Sequence, residues 1–169
     1  EFVRDCYVAL KEANERLVLY MNSVGLNPNK HCSRDNNLTI PYQDLLGAEG
    51  GFLGGNLTRL PIFKPGMSAK LLETQAQGKP TVIFIAGRIG GGWQRMLLSP
   101  AETEIVHAEA VANGASTWYG VYIENSNDPR METVRELYRF LRENEEHYTK
   151  TKSSARIAMV WSYATGNYY

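Results

Sequence analysis

The chain has 169 residues, and its 18 lysine and arginine residues balance 18 aspartate and glutamate residues. That length suits one core-bearing domain, and the neutral balance argues against a nucleic-acid or anionic-membrane surface as the main partner. No run is long enough to cross a bilayer. No basic-then-apolar signal peptide opens the sequence, so a cytoplasmic location is expected, and the two cysteines, Cys6 and Cys32, make neither a disulfide framework nor a metal-ligand spacing.

Phe2, Cys6, Ala9, Leu10, Ala13 and Leu17 recur at helical spacing and predict an amphipathic helix over residues 1 to about 15. The apolar run 16–22 reads as a strand, and a long polar segment follows, with Asn27-Pro28-Asn29 as its turn. Asn37-Leu38-Thr39 and Asn56-Leu57-Thr58 match the glycosylation acceptor pattern, which arises often by chance. Residues 42–48 are a strand candidate running into the glycine-rich 49–55, and residues 68–77 read as a short helix capped by Ser68 and closed by Gly78.

The organising stretch is 79–122. Residues 80–86, rich in β-branched side chains, suit a strand buried on both faces. After the glycine-rich 87–93 comes Ser99-Pro100-Ala101-Glu102, a cap, a proline at the first helical position and a glutamate three after the cap. Ile105, Val106, Ala108, Val111 and Ala112 give that helix an apolar face, Gly114 stops it, and 117–123 reads as another buried strand. Asp128-Pro129 starts a helix with the face Val134, Leu137, Tyr138 and Leu141, fraying at 145–147; a polar linker leads to a last strand candidate, 155–163.

A helix, four strand-to-helix units and one further strand mean α/β with a parallel sheet. An open doubly wound sheet and part of an eight-fold barrel both fit; 169 residues are too few for a full barrel, which needs at least about 200. In either case the working face is the carboxyl end of the strands. Candidates there are Asn22, His31 in the long polar loop, Glu49, Phe52, Arg88, Trp93, Tyr122 and Glu124 with Asn125. Carboxylates at strand ends point to general acid–base work, such as glycoside hydrolysis with its two carboxyl groups, and nearby aromatic rings suit a sugar face. Plainer readings stand beside these. Glu49 can simply end a strand before a turn, Glu124 can cap a loop, and the mid-helix His107 reads as a surface or packed histidine. Residues 87–92 lack the lysine and hydroxyl of a nucleotide loop.

The runs 46–55 (LGAEGGFLGG), 66–72 (GMSAKLL), 78–82 (GKPTV), 98–102 (LSPAE) and 109–115 (EAVANGA) resemble the C-terminal half of a bacterial glycoside hydrolase barrel, of the kind related to α-L-fucosidases and β-galactosidases. The resemblance implies half of a (β/α)8 barrel, with four parallel β/α units over 1–149 and one extra C-terminal strand. Residues 150–169 would be a linker and the first strand of a following flavodoxin-like trimerisation domain. It also implies a carbohydrate substrate, with no cofactor and no metal expected. Half a barrel leaves two open edges, at 16–22 and 117–123, both apolar and without the lysine or proline that usually blunts an edge, so the chain is expected to be at least a dimer. Glu49 would be the acid/base, with Asn22, His31, Phe52, Arg88, Trp93 and Glu124 along the sugar-facing wall. The β-galactosidase relatives place a nucleophile after the seventh strand, where this chain reads Ile85-Ala86-Gly87-Arg88, without a carboxylate. The fucosidase-like arrangement fits better and puts the partner carboxylate upstream of Glu1, so the sequence reads as a fragment inactive alone. The rival readings are a non-catalytic, self-associating scaffold and a small doubly wound nucleotide- or flavin-binding domain.

Overall fold

The computed structural model describes residues 1–21, 35–49, 62–87, 96–160 and 162. In chain order these form helix α1 (Phe2–Ala13), strand β1 (Tyr20–Met21), the short helix α2 (Asn36–Thr39), a 3-10 turn (Ile40–Tyr42), β2 (Leu45–Ala48), α3 (Lys64–Ala76), β3 (Thr81–Ala86), α4 (Pro100–Ala112), β4 (Ser116–Gly120), a second 3-10 turn (Ile123–Asn125), α5 (Met131–Glu143) and the short α6 (Glu145–Tyr148). The four strands make one parallel sheet in the order β1-β2-β3-β4. The fold is α/β, as expected. Each strand lies beside its predecessor, so the sheet has no point at which the strand order reverses. That is the winding of a half-barrel; a doubly wound domain needs such a reversal.

The two faces of the sheet differ. Thr81, Ile83 and Ile85 of β3 lie under α3 and α4 and join Leu46, Leu72, Val106 and Ala110 in the core. Burying each of the isoleucine, leucine and valine side chains contributes roughly 1.5–3 kcal/mol. The alternate residues, Val82 and Phe84, face the other side. There the Phe84 ring meets Trp118 edge-on at 5.2 Å, and Trp118 meets Tyr20 at 6.1 Å. Trp118 is 47% exposed. Two glycines admit these rings: a Cβ at Gly47 would overlap the Tyr20 ring, and one at Gly120 would overlap Phe84. Aromatic rings laid over neighbouring glycines are a known way to fix strand register.

Helix α4 starts as its sequence specifies. Ser99 Oγ accepts from the Glu102 N–H, and a Glu102 carboxylate oxygen accepts from the Ser99 N–H at 2.8 Å. Its buried stripe is Thr103, Val106, His107 and Ala110, whereas Ile105 and Ala108 of the expected face are exposed. Helix α3 begins at Lys64, with Pro65 in its first turn, so Ser68 is a buried interior residue and not a cap. The chain leaves α3 through two left-handed residues, Gln77 and Gly78. Helix α1 is rotated from the expected face: Val3, Cys6, Tyr7, Leu10 and Lys11 are half covered, while Phe2, Ala9, Ala13 and Leu17 are exposed. Two contacts fix that rotation. The Tyr7 ring meets Tyr42 edge-on, and Lys11 pairs with Asp44 at 2.9 Å.

The edges and the tail also depart from expectation. Only Tyr20 and Met21 of the run 16–22 pair as strand among the described residues. Strand β4 ends at Gly120, before the second 3-10 turn. Residues 155–160, expected as part of an extra strand, belong to no strand and pair with none among the described residues. They are exposed. No described helix is long and apolar enough to cross a membrane.

Candidate functional site

The carboxyl end of the sheet is defined by Met21, Ala48, Ala86 and Gly120. Glu49 follows Ala48 directly and is half buried. Its position depends on how β2 is held from behind. Lys79 Nζ donates to the carbonyls of Ile40 at 2.6 Å and Gln43 at 2.5 Å, tying the 3-10 turn to the start of β3. The buried Gln43 accepts from the Met21 N–H at 3.1 Å and donates to Thr39 Oγ1 at 3.1 Å. Asp44 accepts from the Leu19 N–H at 2.8 Å. That backbone donor, helped by Lys11 and Lys79, holds the Asp44 carboxyl below the usual range. The entry to β2 is thus a polar clasp, and Glu49 stands at the opposite end of a buried four-residue strand.

Beyond β3, Gly87 donates its N–H to the Gly120 carbonyl at 2.9 Å, and its own carbonyl accepts from the Tyr119 hydroxyl at 3.2 Å. Past β4, Tyr122 and Glu124 are exposed, with Glu124 inside the second 3-10 turn. Asp128 and Arg130 form a bidentate pair at 2.9 and 2.7 Å just ahead of α5. Arg130 also donates to the Leu97 carbonyl at 2.9 Å. The guanidinium holds the Asp128 carboxyl down to about 2. Both charges of this pair are occupied in fastening α5 to the end of the sheet, a role that residue spacing alone did not reveal.

Of the expected site residues, Glu49, Tyr122, Glu124 and Asn125 are described, and all four lie past the carboxyl ends of strands. Asn22, His31, Phe52, Arg88 and Trp93 lie outside the described residues. No group of three or more metal-ligating side chains occurs among the described residues.

The most perturbed histidine lies elsewhere. His107 is buried within α4, between the Tyr119 ring, stacked at 5.5 Å, and the Tyr138 ring, edge-on at 5.5 Å. Neither ring nitrogen has a hydrogen-bond partner among the described residues, and burial pushes its pKa down to about 4. It is the packed histidine that its mid-helix position allowed.

No family model, curated protein or solved structure matches this chain.

Proposed function

We propose that this chain is one half of a β/α barrel whose strand ends form a carbohydrate-facing wall, with Glu49 as its general acid/base. The observation that carries the reading is the placement of Glu49: a half-buried carboxylate directly after the last residue of an inner strand, at the carboxyl end of a parallel sheet wound in chain order. In barrels of this winding, reacting groups stand at that end. The exposed Tyr122 and Glu124 follow β4, two strands away at the same end, and supply a ring face and an acceptor for hydroxyl groups. The half-exposed aromatic face of Tyr20, Phe84 and Trp118 is, in this reading, the inward face of the barrel. Glycoside hydrolysis takes two carboxyl groups across the scissile bond. In this reading the second comes from another strand of the completed barrel, and these residues bind sugar without turning it over.

Titration with galactose and with fucose, followed by amide chemical shifts, tests the reading. Glu49, Gly87, Tyr122 and Glu124 should move, and Gly78 and Gly114, at the amino ends of β3 and β4, should not. Shifts absent at the first set, or equal at both, overturn it.

A second reading, a self-associating scaffold without catalysis, is favoured by one observation: Ile157, Met159 and Val160 are exposed side by side.

A further inference from the structure

The outer edge of β4 is held by a side chain. Gly120 turns its carbonyl toward β3, where it accepts from Gly87, so Thr117 and Tyr119, an odd number of residues away, turn their backbone groups outward. The Tyr138 hydroxyl, reaching over from α5, occupies the first of these. It donates to the Thr117 carbonyl at 3.0 Å. Thr117 Oγ1 donates a second bond to the hydroxyl at 3.3 Å. One hydroxyl therefore takes a backbone acceptor that an incoming strand would use.

The chain also carries an unused strand-like run. In a sheet wound in chain order, the strand after α5 belongs beside β4. The next apolar run after α5 is 155–160, and Ile157, Met159 and Val160 are 91%, 86% and 91% exposed. The residues leading into it, Thr151 to Ser153, line a cavity with Val111, Ala112 and Gly114. Gly114 lies two residues before β4, at the end of the sheet from which a parallel neighbour has to start.

We propose that residues 155–160 are a fifth strand of this same chain, which docks on the outer edge of β4 by displacing the Tyr138 hydroxyl. The sheet then has two states, capped by Tyr138 or extended by the segment. Docking exchanges the hydroxyl's backbone hydrogen bond for a backbone–backbone one and shelters apolar side chains, with Ile157 and Met159 on one face. The segment is tethered to α6 by the six residues 149–154, which makes its effective concentration far higher than that of a second copy in micromolar solution.

Amide hydrogen exchange on the full chain at two protein concentrations tests this. Amides of Ile157 to Val160 should exchange more slowly than in a free chain, equally at both concentrations. Tyr138→Phe should raise their protection about fivefold, the population change that follows from losing a competing hydrogen bond. Ile157→Asp with Met159→Asp should abolish that protection while leaving the amides of β3 protected. This double variant alters only exposed side chains, so the test stands even if Tyr138→Phe does not fold. Free-chain exchange of 155–160 in both the wild type and Tyr138→Phe overturns the proposal; where Tyr138→Phe does not fold, free-chain exchange in the wild type alone does so. Protection that grows with protein concentration also overturns it, because the acceptor edge would then belong to a second copy.

Discussion

The imidazole of His107 lies nearly parallel to the phenol ring of Tyr119, 5.5 Å away and tilted by 25°, with neither nitrogen hydrogen-bonded among the described residues. A neutral imidazole suits this place and an imidazolium does not, because burial removes the water that would solvate the charge. The folded state takes up the His107 proton only near pH 4, whereas the unfolded chain takes it up near the ordinary 6.5. The unfolded state therefore binds more protons between these values. The contribution of His107 is fully present above pH 6.5 and is lost as the pH falls to 4. The loss amounts to about 3 kcal/mol. Urea unfolding of the wild type should weaken over that window, and His107→Phe, which keeps an aromatic ring, should flatten the dependence. An unchanged slope in the variant would place the titration elsewhere.

A second acid window belongs to Asp128. Its carboxyl is held at about 2 by Arg130, below the ordinary 3.8. Its stabilising contribution is complete above pH 3.8 and disappears as the pH falls through 2. Asp128→Asn should remove that lower window while leaving the His107 window intact. The two variants measured together should show separate, additive pH profiles.

Lys79 bonds two carbonyls that precede β2. Lys79→Met keeps the aliphatic stem and removes both bonds, at a cost of about 1.5–3 kcal/mol. Thermal unfolding should register the loss. Exchange of the β2 amides should accelerate more than that of the β4 amides, because the clasp acts on the entry to β2.

Ile83 is fully buried at the centre of β3. Ile83→Asp places an unpaired carboxylate there, at a cost of several kcal/mol, a large share of a typical total stability of 5–15 kcal/mol. Loss of soluble, cooperatively unfolding protein is the expected result. A well-folded variant would mean that the core lies elsewhere.

If Glu49 is the acid/base of a barrel completed by another carboxylate, these 169 residues alone should turn over no nitrophenyl glycoside. In a completed barrel, Glu49→Gln should suppress hydrolysis of substrates whose leaving group needs a proton and largely spare activated ones. Equal loss on both substrate types would make Glu49 a structural residue.

Legibility in the sequence followed how local the determining signal was. Strand β3 and the start of α4 were readable because an unbroken β-branched run and a capping box each carry their whole signal within a few residues. The start of α3 was missed because Lys64-Pro65-Gly66 reads as a turn, while Ser68 resembles a cap. The rotation of α1 was not readable, since it depends on Tyr42 and Asp44, more than thirty residues away. The β4 edge looked unprotected because its guard, Tyr138, reads as one more apolar residue of an amphipathic helix. At the candidate site, strand ends could be located, which brought out Glu49 and Glu124. The Asp128–Arg130 fastening and the depth of His107 depend on packing between elements that no local spacing encodes.

Winding in chain order has a consequence for how the molecule is made. Every strand finds its partner in the segment synthesised just before it, so loop closures stay short and no early strand waits for a distant late one. On a ribosome, β2 and β3 with α3 between them can close as soon as α4 emerges to cover Ile83 and Ile85, and β4 adds to an edge already in place. Assembly then proceeds in one direction, and the growing edge is always the newest strand. Tyr138 emerges shortly after β4 and stoppers that edge during the interval in which an unprotected strand would be most prone to pair with a neighbouring nascent chain.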